Sequence, residues 1–581
     1  MKHFLTLLAV AAAAMAASCN IDNVIYDDNG TLPVITLDSQ DGIYTVKVGR
    51  ALTIAPQVSD GSAECEWLLD DVPVGSGRTH TFTFDEPATH YVTFRAGNAA
   101  GTAEEDMRIE VVELAVPVIS LAVDDTVRLL PDTDYTFTPT IKNSSAPGFS
   151  CEWLLDGTSV AKSESYTFRR HELGSCVLTI RAETEDGSDS RDIAIEVVAE
   201  LPQSVRFAQQ SYMQSSTDRS TVVGRPLYLK PLLENFGSPV FVWSVDGQRL
   251  QEEGAMLRFV PEREGTYRIA VDVAEQGGTP VHAEVKVHCS AAAQSRPMTP
   301  ASVRTQNRVY EYIPAPGQFI NETQTGGFGD GVTTHEAAVA YAEARLTDKR
   351  FVSLGGFGGY IIVGFDHSIV SRGGDGYDFS IQGNAFLSAT GGSNEPGIVW
   401  VMQDTNGNGL PDDEWYELRG SEYGAEGTLH DYAVTYYRPD APGMAVRWRD
   451  SQGAEGTIDY IRAQHRQDYY YPLWVGADSY TLHGTRLSPR NSQDATGNWH
   501  NNAYGWGYAD NYGDDNLSAS VGSGGEGQST GFRISNAVHA DGSAAELDFI
   551  DFIKVQTALN TKSGGLGENS TEVFSFEDLS M

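Results

Sequence analysis

One six-residue motif recurs through the first half of the chain and limits the fold more than any other feature. Cys65-Glu66-Trp67-Leu68-Leu69-Asp70 returns as Cys151-Glu152-Trp153-Leu154-Leu155-Asp156, and a weaker copy runs Phe241-Val242-Trp243-Ser244-Val245-Asp246-Gly247. Each copy precedes a turn and then an alternating run: Tyr91 to Arg95, Val177 to Arg181, and Tyr267 to Val271. Each repeat closes on a second alternating run, Met107 to Val112, Asp192 to Val197, and His282 to Val287. Period-two alternation broken by Gly, Asp and Pro turns, repeating about every 85 to 90 residues, predicts small β-sandwiches rather than helices. The tryptophan falls on a central strand, where its indole fills the space between two sheets.

On these residues, and on the W-x-x-D turn above all, the repeats resemble PKD or immunoglobulin-like modules. The resemblance implies three tandem modules, at residues 32–113, 114–199 and 200–290, of a kind common in bacterial surface proteins. Such a fold says little about function, so the modules read as spacers. Cys151 and Cys176 are candidates for a disulfide within the second module, but the first module has Cys65 at one position and His90 at the other. Paired and free thiols both remain open.

The N-terminus sets the compartment. Lys2 and His3 precede an apolar stretch, Phe4 to Ala17, too short to span a bilayer. It ends in Ala16-Ala17-Ser18-Cys19, which resembles a bacterial lipoprotein signal over residues 1–18, with Cys19 the lipidated residue. A cleaved secretory leader is the alternative, and either one exports the protein. Residues 19–31 form a polar, partly acidic tether similar to those of Bacteroidetes lipoproteins on the outer face of the outer membrane. No later apolar run is long enough to cross a membrane, so attachment is expected through lipid alone. With 79 acidic against 40 basic residues the net charge is −39, which repels phosphate backbones and excludes nucleic acid as a partner. No C-x-x-C pair occurs, so neither a structural zinc site nor a thioredoxin-like motif is expected.

Residues 291–313, rich in Ser, Ala, Gln and Pro at their start, read as a linker, and the chain changes character after them. Residues 314–581 predict a larger jelly-roll-like β-sandwich with long loops and one short helix, so the whole chain is expected to be all-β. The helix follows a capping signal, Thr333-Thr334-His335-Glu336, and covers Ala337 to Leu346. Strands are expected at Val352 to Leu354, Tyr360 to Phe365, Asp378 to Ile381, Ile398 to Met402 and Ala433 to Tyr437. Gly355-Gly356-Phe357-Gly358-Gly359 joins the first two as a tight turn, with no Lys-Ser/Thr helix start to make it a phosphate loop.

Asp404-Thr405-Asn406-Gly407-Asn408-Gly409-Leu410-Pro411-Asp412 follows the opening of a calcium loop. Oxygen ligands are expected from the Asp404, Asn406, Asn408 and Asp412 side chains and from the Leu410 carbonyl, holding a structural calcium ion. Trp415 stands where an EF-hand has its bidentate Glu, so Glu414 or the more distant Glu395 is a candidate to complete the shell. A polar hairpin with no ion is the alternative.

Between His465 and Tyr512, 10 of 48 residues are aromatic, twice the chain average, and they lie among glycines and short amides. Exposed aromatic faces beside amides suit a flat, uncharged, amphipathic ligand. Tyr470, Trp474, Trp499, Tyr504 and Trp506 are the expected platform, with Asn501 and Asn502 as polar partners. Trp499 reads as a loop residue. No G-x-S-x-G, H-E-x-x-H or P-loop occurs, so no catalytic residue is assigned. A carboxylate pair for glycoside hydrolysis stays open, because such pairs meet in space rather than in sequence.

Three stretches of this region, Gly355 to Phe386, Glu395 to Asp404 and Trp506 to Asn511, resemble a C-terminal domain of Bacteroidetes surface lipoproteins. PKD-like modules commonly precede that domain, and the architecture is similar to that of the cobalamin-binding accessory (BtuH-like) lipoproteins. The resemblance implies a non-enzymatic surface lipoprotein of the outer membrane. It would capture cobalamin or a related cobamide, as ligand rather than cofactor, for an outer-membrane TonB-dependent transporter. A glycan-binding or adhesive surface protein would use the same aromatics on sugar rings and is the alternative.

Overall fold

The computed structural model describes residues 30–322, 332–388, 391–518 and 528–581. Cys19, the leader and nearly all of the tether lie outside the described residues. The chain divides into two compact units, one ending at Ala115 and one running from Val116 to Met581. No described helix is long and apolar enough to cross a membrane.

The first unit is one β-sandwich. Its larger sheet has five strands in the order Ile43–Lys47, Gly101–Val112, Thr89–Asn98, Glu64–Leu69, Val72–Ser76. Leu52–Ile54 pairs with His80–Phe82 on the opposing layer, and Trp67, Phe82, Phe94 and Ile109 close the core between them. The same five-stranded order recurs in the second and third modules. In each, an early strand pairs in parallel with the last one: Ile43–Lys47 with Arg108–Val112, Thr126–Leu129 with Ala194–Val197, and Arg219–Val222 with Val287–Ser290.

The W-x-x-D signature has a physical reason in every copy. Trp67, Trp153 and Trp243 are fully buried. Their indole nitrogens donate to the carbonyls of Gly77, Ser163 and Gly254 at 2.8, 2.8 and 2.9 Å, which removes the cost of burying the N–H. Asp70, Asp156 and Asp246 take left-handed backbone, with φ of 48°, 48° and 49°. Asp tolerates this turn because its short carboxylate bonds locally: it accepts from the backbone N–H of Tyr91, Val177 and Arg268. The cysteine question is settled by register: Cys151 faces Ala182, Cys176 faces Ile195, and both thiols are free.

We label the principal elements of the C-terminal domain in chain order: β1 (Arg308–Ile313), α1 (His335–Thr347), β2 (Tyr360–Val370), β3 (Phe379–Gln382), β4 (Gly397–Met402), β5 (Trp415–Leu418), β6 (Leu429–Tyr437), β7 (Val446–Asp450), β8 (Glu455–Ile458), β9 (Ser479–Arg486), β10 (Ser529–Phe532), β11 (Ala537–Val538), β12 (Phe549–Thr557) and β13 (Ser575–Asp578). A six-stranded antiparallel sheet, β1-β2-β12-β4-β5-β11, forms the centre. One face packs on the four-stranded sheet β8-β7-β6-β9 through Ile362, Met402, Phe552, Val434 and Leu482. The other face carries Ile361, Val363, Val399 and Ile553 against Ala338, Ala342 and Leu346 of α1 and against Phe379 and Phe576 of the three-stranded sheet β10-β3-β13. The sandwich thus gains a third layer. Its signal is the unbroken apolar run Tyr360-Ile361-Ile362-Val363, the pattern of a strand covered on both faces.

Three expectations need correction. The helix cap is Thr334, whose hydroxyl accepts from Ala337 N at 3.2 Å, one residue later than the Thr333-to-Glu336 spacing suggests. Part of residues 291–313 is no linker: Arg296 donates to the Phe365 carbonyl at 2.9 Å and pairs with buried Asp551 at 3.1 Å, while β1 is an edge strand of the central sheet. Nor are the second and third modules free spacers. Arg447 donates to Thr140 at 3.1 Å, and Arg449 lies over the Tyr135 ring at 5.2 Å. From the third module, Tyr212 N donates to the Tyr360 hydroxyl at 2.9 Å and Met213 N to Glu311 at 2.8 Å. The loop carrying Tyr212 and Met213 holds no Gly or Pro from Ala208 to Ser220, and it is a docking segment rather than a turn.

Candidate functional site

The aromatic residues expected as one platform are dispersed. Tyr470 and Tyr504 belong to two separate cores, and their hydroxyls are consumed by the carbonyls of His465 and Ser488. Trp474 packs between the two large cores. Trp499 is on a short strand, Trp499–Asn501, paired with Asn491–Gln493, rather than in a loop. Its indole lies so close to Gly564 that an added Cβ there would sit 2.2 Å from Nε1. Asn501 is buried and accepts from Ser563, whereas exposed Asn502 donates back to the Arg490 carbonyl. Trp506 lines a separate hollow of about 230 Å³ with Arg419 and Arg533. The sequence between His465 and Tyr512 resembles open loop, but its aromatics face inward, and no shared ligand face results.

The acidic loop does converge. Asp404 Oδ1 accepts from Gly407 N and Asp404 Oδ2 from Gly409 N, which wraps the chain around that carboxylate. Asn406 and Asn408 turn their amides to Asp412 and Asp413, and Asn408 Oδ1 accepts from Leu410 N. The side chain of Leu410 is exposed. Asp413 is fully buried, and burial raises its carboxyl to about 6. Neither residue expected to complete the shell is present: Glu414 faces Arg219 of the third module at 3.9 Å, and Glu395 lies with other acids described below.

A cleft of about 720 Å³ lies between the third module and the C-terminal domain. Its floor is set by register on the central sheet. Lys554 on β12 stands beside Trp400 on β4, and Trp400 stands beside Glu417 on β5, so a cation, an indole and a carboxylate lie abreast. The Lys554 ammonium is 4.8 Å from the Trp400 ring, 5.0 Å from Trp415 and 5.8 Å from Tyr360. Burial lowers its pKa to about 8, against the pull of Glu311, Glu417 and Glu414. The indole nitrogens of both Trp400 and Trp415 are buried without a hydrogen-bond partner.

The rim is aromatic and titratable. The Tyr423 and His430 rings meet at 4.4 Å, tilted by 49°, with His430 held up in pKa by Glu417. Tyr228 of the third module meets His539 at 5.1 Å. Among the other lining residues, Arg219 donates to the Ala208 and Thr217 carbonyls, fixing the module's wall. Such a volume lies within the range of small-molecule sites, roughly 300–1,000 Å³. Two orphan indole N–H groups are donors waiting for acceptor oxygens beside the Lys554 ammonium, and the ring faces around them suit a flat apolar body. Sequence reasoning missed the cleft because Arg219, Trp400 and Lys554 are brought together only by tertiary structure.

Residues 32–98 match the family model of the PKD-like domain. Among solved structures, the chain is similar to the fibronectin(III)-like modules of Clostridium thermocellum CbhA, at 17% identity and TM-score 0.18, covering 28% of this chain and 94% of that one. It is also similar to the titin I-band fragment I67-I69, at 15% identity and TM-score 0.21, covering 45% of this chain and 99% of that one. A third is the set of three N-terminal domains of the bacteriophage RB49 outer capsid protein Hoc, at 12% identity and TM-score 0.21, covering 44% and 99%. These likenesses concern fold alone. No curated protein matches the chain. The chain is a nearly all-β protein built from tandem Ig/PKD-like sandwiches, the first of which carries the PKD-like domain, followed by a larger layered β-domain.

Proposed function

We propose that this protein is a surface lipoprotein that binds a small amphipathic ligand in the cleft between its third module and its C-terminal domain. The observation that carries the reading is the row Lys554–Trp400–Glu417, with two unpartnered indole N–H groups beside it. The resemblance of Gly355 to Phe386, Glu395 to Asp404 and Trp506 to Asn511 to the C-terminal domain of cobalamin-binding lipoproteins makes a cobamide the preferred ligand, handed on to an outer-membrane transporter. A corrin offers a broad apolar disc for ring faces and amide carbonyls for the N–H donors. The Asp404 loop would hold a structural calcium ion. No catalytic role is assigned to any residue. The tandem Ig/PKD-like modules favour a second reading, adhesion through glycans, which the same aromatic cleft could serve.

Titration calorimetry of the protein with cyanocobalamin, and separately with neutral oligosaccharides, decides between them. A cobamide signal that Trp400→Ala weakens at least tenfold supports the first reading. Oligosaccharide binding lost in the same variant would replace it with the second. Silence towards both would overturn ligand capture in this cleft.

A further inference from the structure

A second charged site lies elsewhere in the C-terminal domain. Glu395 precedes β4, Asp510 lies in the segment bridged to β4 through Ala509 and Gly397, and Glu572 begins the short strand Glu572–Val573 that pairs with Val352–Ser353. One carboxylate oxygen from each lies within 4.8 Å of the others. Asp510 and Glu572 are buried, and Glu395 forms the half-buried outer side.

The backbone holds these groups in place. Asp510 takes φ of 52°, and its Oδ1 accepts from Asn384 N and Ala385 N at 2.7 and 2.8 Å. Its Oδ2 accepts from Glu572 N at 3.0 Å, which brings the two acids together. A Cβ on Gly383 would sit 2.5 Å from Asp510 Oδ1, so this approach needs glycine. Glu395 Oε1 accepts from the Asn569 amide at 3.2 Å and from Ser570 N at 3.3 Å. The Asn384 amide nitrogen reaches Glu572 Oε2 at 3.3 Å or, turned over, Asp510 at 3.0 Å. Glu572 is only 2% exposed, and its Oε1 is buried with no hydrogen bond of good geometry, although the Ser353 and Ser570 hydroxyls lie close enough to act on the carboxyl. Among the described residues no Lys, Arg or His is a leading influence on any of the three acids, and Glu395 is also raised by another buried acid, Glu568.

Three carboxylates meeting at one point, one with an oxygen left without a hydrogen bond, can be neutralised by shared protons or by a cation from outside. We propose that Glu395, Asp510 and Glu572 bind a hard divalent cation of calcium's size, at a site distinct from the Asp404 loop and from the ligand cleft. Calcium takes oxygens at about 2.3–2.6 Å, so two opposite ligands stand about 5 Å apart, and the three oxygens fit one ion. Magnesium, at about 2.0–2.1 Å, would need them drawn closer. The unpartnered Glu572 Oε1 gains its missing contact, and half-buried Glu395 gives the path of entry. Without the ion the acids must share protons. Carboxylates must be ionised to hold a metal, so binding should weaken in acid.

The experiment is equilibrium dialysis with radioactive calcium on the chelator-treated protein, together with thermal melts. Asp404→Asn with Asp412→Asn silences the loop and isolates the second site. In that background the protein should still bind one equivalent, and Glu572→Gln should weaken it at least tenfold. Glu395→Gln, at the half-buried position, provides a second variant should Glu572→Gln not fold. In chelator, both variants should melt higher than their parent, because a charge has left a repelling cluster, and calcium should no longer raise their melting temperature. A merely structural role predicts the reverse, lower melting. The proposal fails if the loop-silenced protein binds no calcium, or if it binds calcium equally well with and without Glu572→Gln.

Discussion

Lys554 provides the most direct test of whether the cleft is built for binding, because the fold holds this residue at a cost. Its pKa falls from 10.5 to about 8, chiefly through burial. That drop corresponds to about 3 kcal/mol against the charged form. The contacts over Trp400 and Trp415 return about 1–2 kcal/mol of it through the ring quadrupoles. Glu311, Glu414 and Glu417 lose a Coulombic partner when the lysine goes, which trims the gain further. Lys554→Met should therefore stabilise the larger unit at pH 7 by about 1 kcal/mol, seen as a rise in Tm of roughly 2 °C. The pH dependence follows from the sign of the shift. Below pH 8 both folded and unfolded states carry the proton, and the penalty is complete. Between pH 8 and 10.5 the folded state releases the proton first, so wild-type stability climbs towards that of the variant. Above pH 10.5 the two should coincide. Calorimetric melts at pH 7 and pH 10 read the difference, and titration with cyanocobalamin at pH 7 should show at least a tenfold loss of affinity. A variant that is less stable at pH 7, with a difference from wild type that does not move with pH, would show that Lys554 is a structural cation and refute the reasoning.

The remaining expectations concern other parts of the chain. Residues 291–581 expressed alone, which keep Arg296 on Asp551, should bind ligand more weakly than the full chain, because Arg219 and Tyr228 supply one wall of the cleft; equal affinity by calorimetry would confine the site to the C-terminal domain. Asp404→Asn with Asp412→Asn should lower the Tm and remove the loop's share of its sensitivity to chelator, since an ion bound only by the native state stabilises it by mass action; a wild-type protein indifferent to chelator would dismiss calcium from the loop. Cys19→Ala should move the protein from the membrane to the soluble fraction on centrifugation, and unchanged fractionation would dismiss the lipid anchor.

The modules were legible because their determinants are local. Trp67 and Asp70 lie three residues apart, and each makes its key hydrogen bond within its own sandwich. The C-terminal strands were legible too, but their layering was not, because period two marks only a strand with one wet face. Tyr360 to Val363 is buried on both sides and shows no period at all. Tyr470 and Tyr504 misled for a related reason: glycine-rich, amide-rich sequence around them resembles loop, yet both rings are swallowed by neighbouring layers. Neither the cleft nor the acid cluster has any local signal. Trp400 and Lys554 meet only through strand register, and Glu395 reaches Glu572 only after the whole domain has closed.

The parallel pairing of early and late strands gives each sandwich a mechanical character. Ends pulled apart along parallel neighbours load their hydrogen bonds in shear, so the bonds of the pair must fail together rather than one at a time, as they do when a hairpin is unzipped. In the first unit the pair spans five residues, Ile43–Lys47 against Arg108–Val112. A pull on the two ends of the first unit would meet this shear-loaded clamp, and the matching pairs Thr126–Leu129 with Ala194–Val197 and Arg219–Val222 with Val287–Ser290 give the second and third modules the same character.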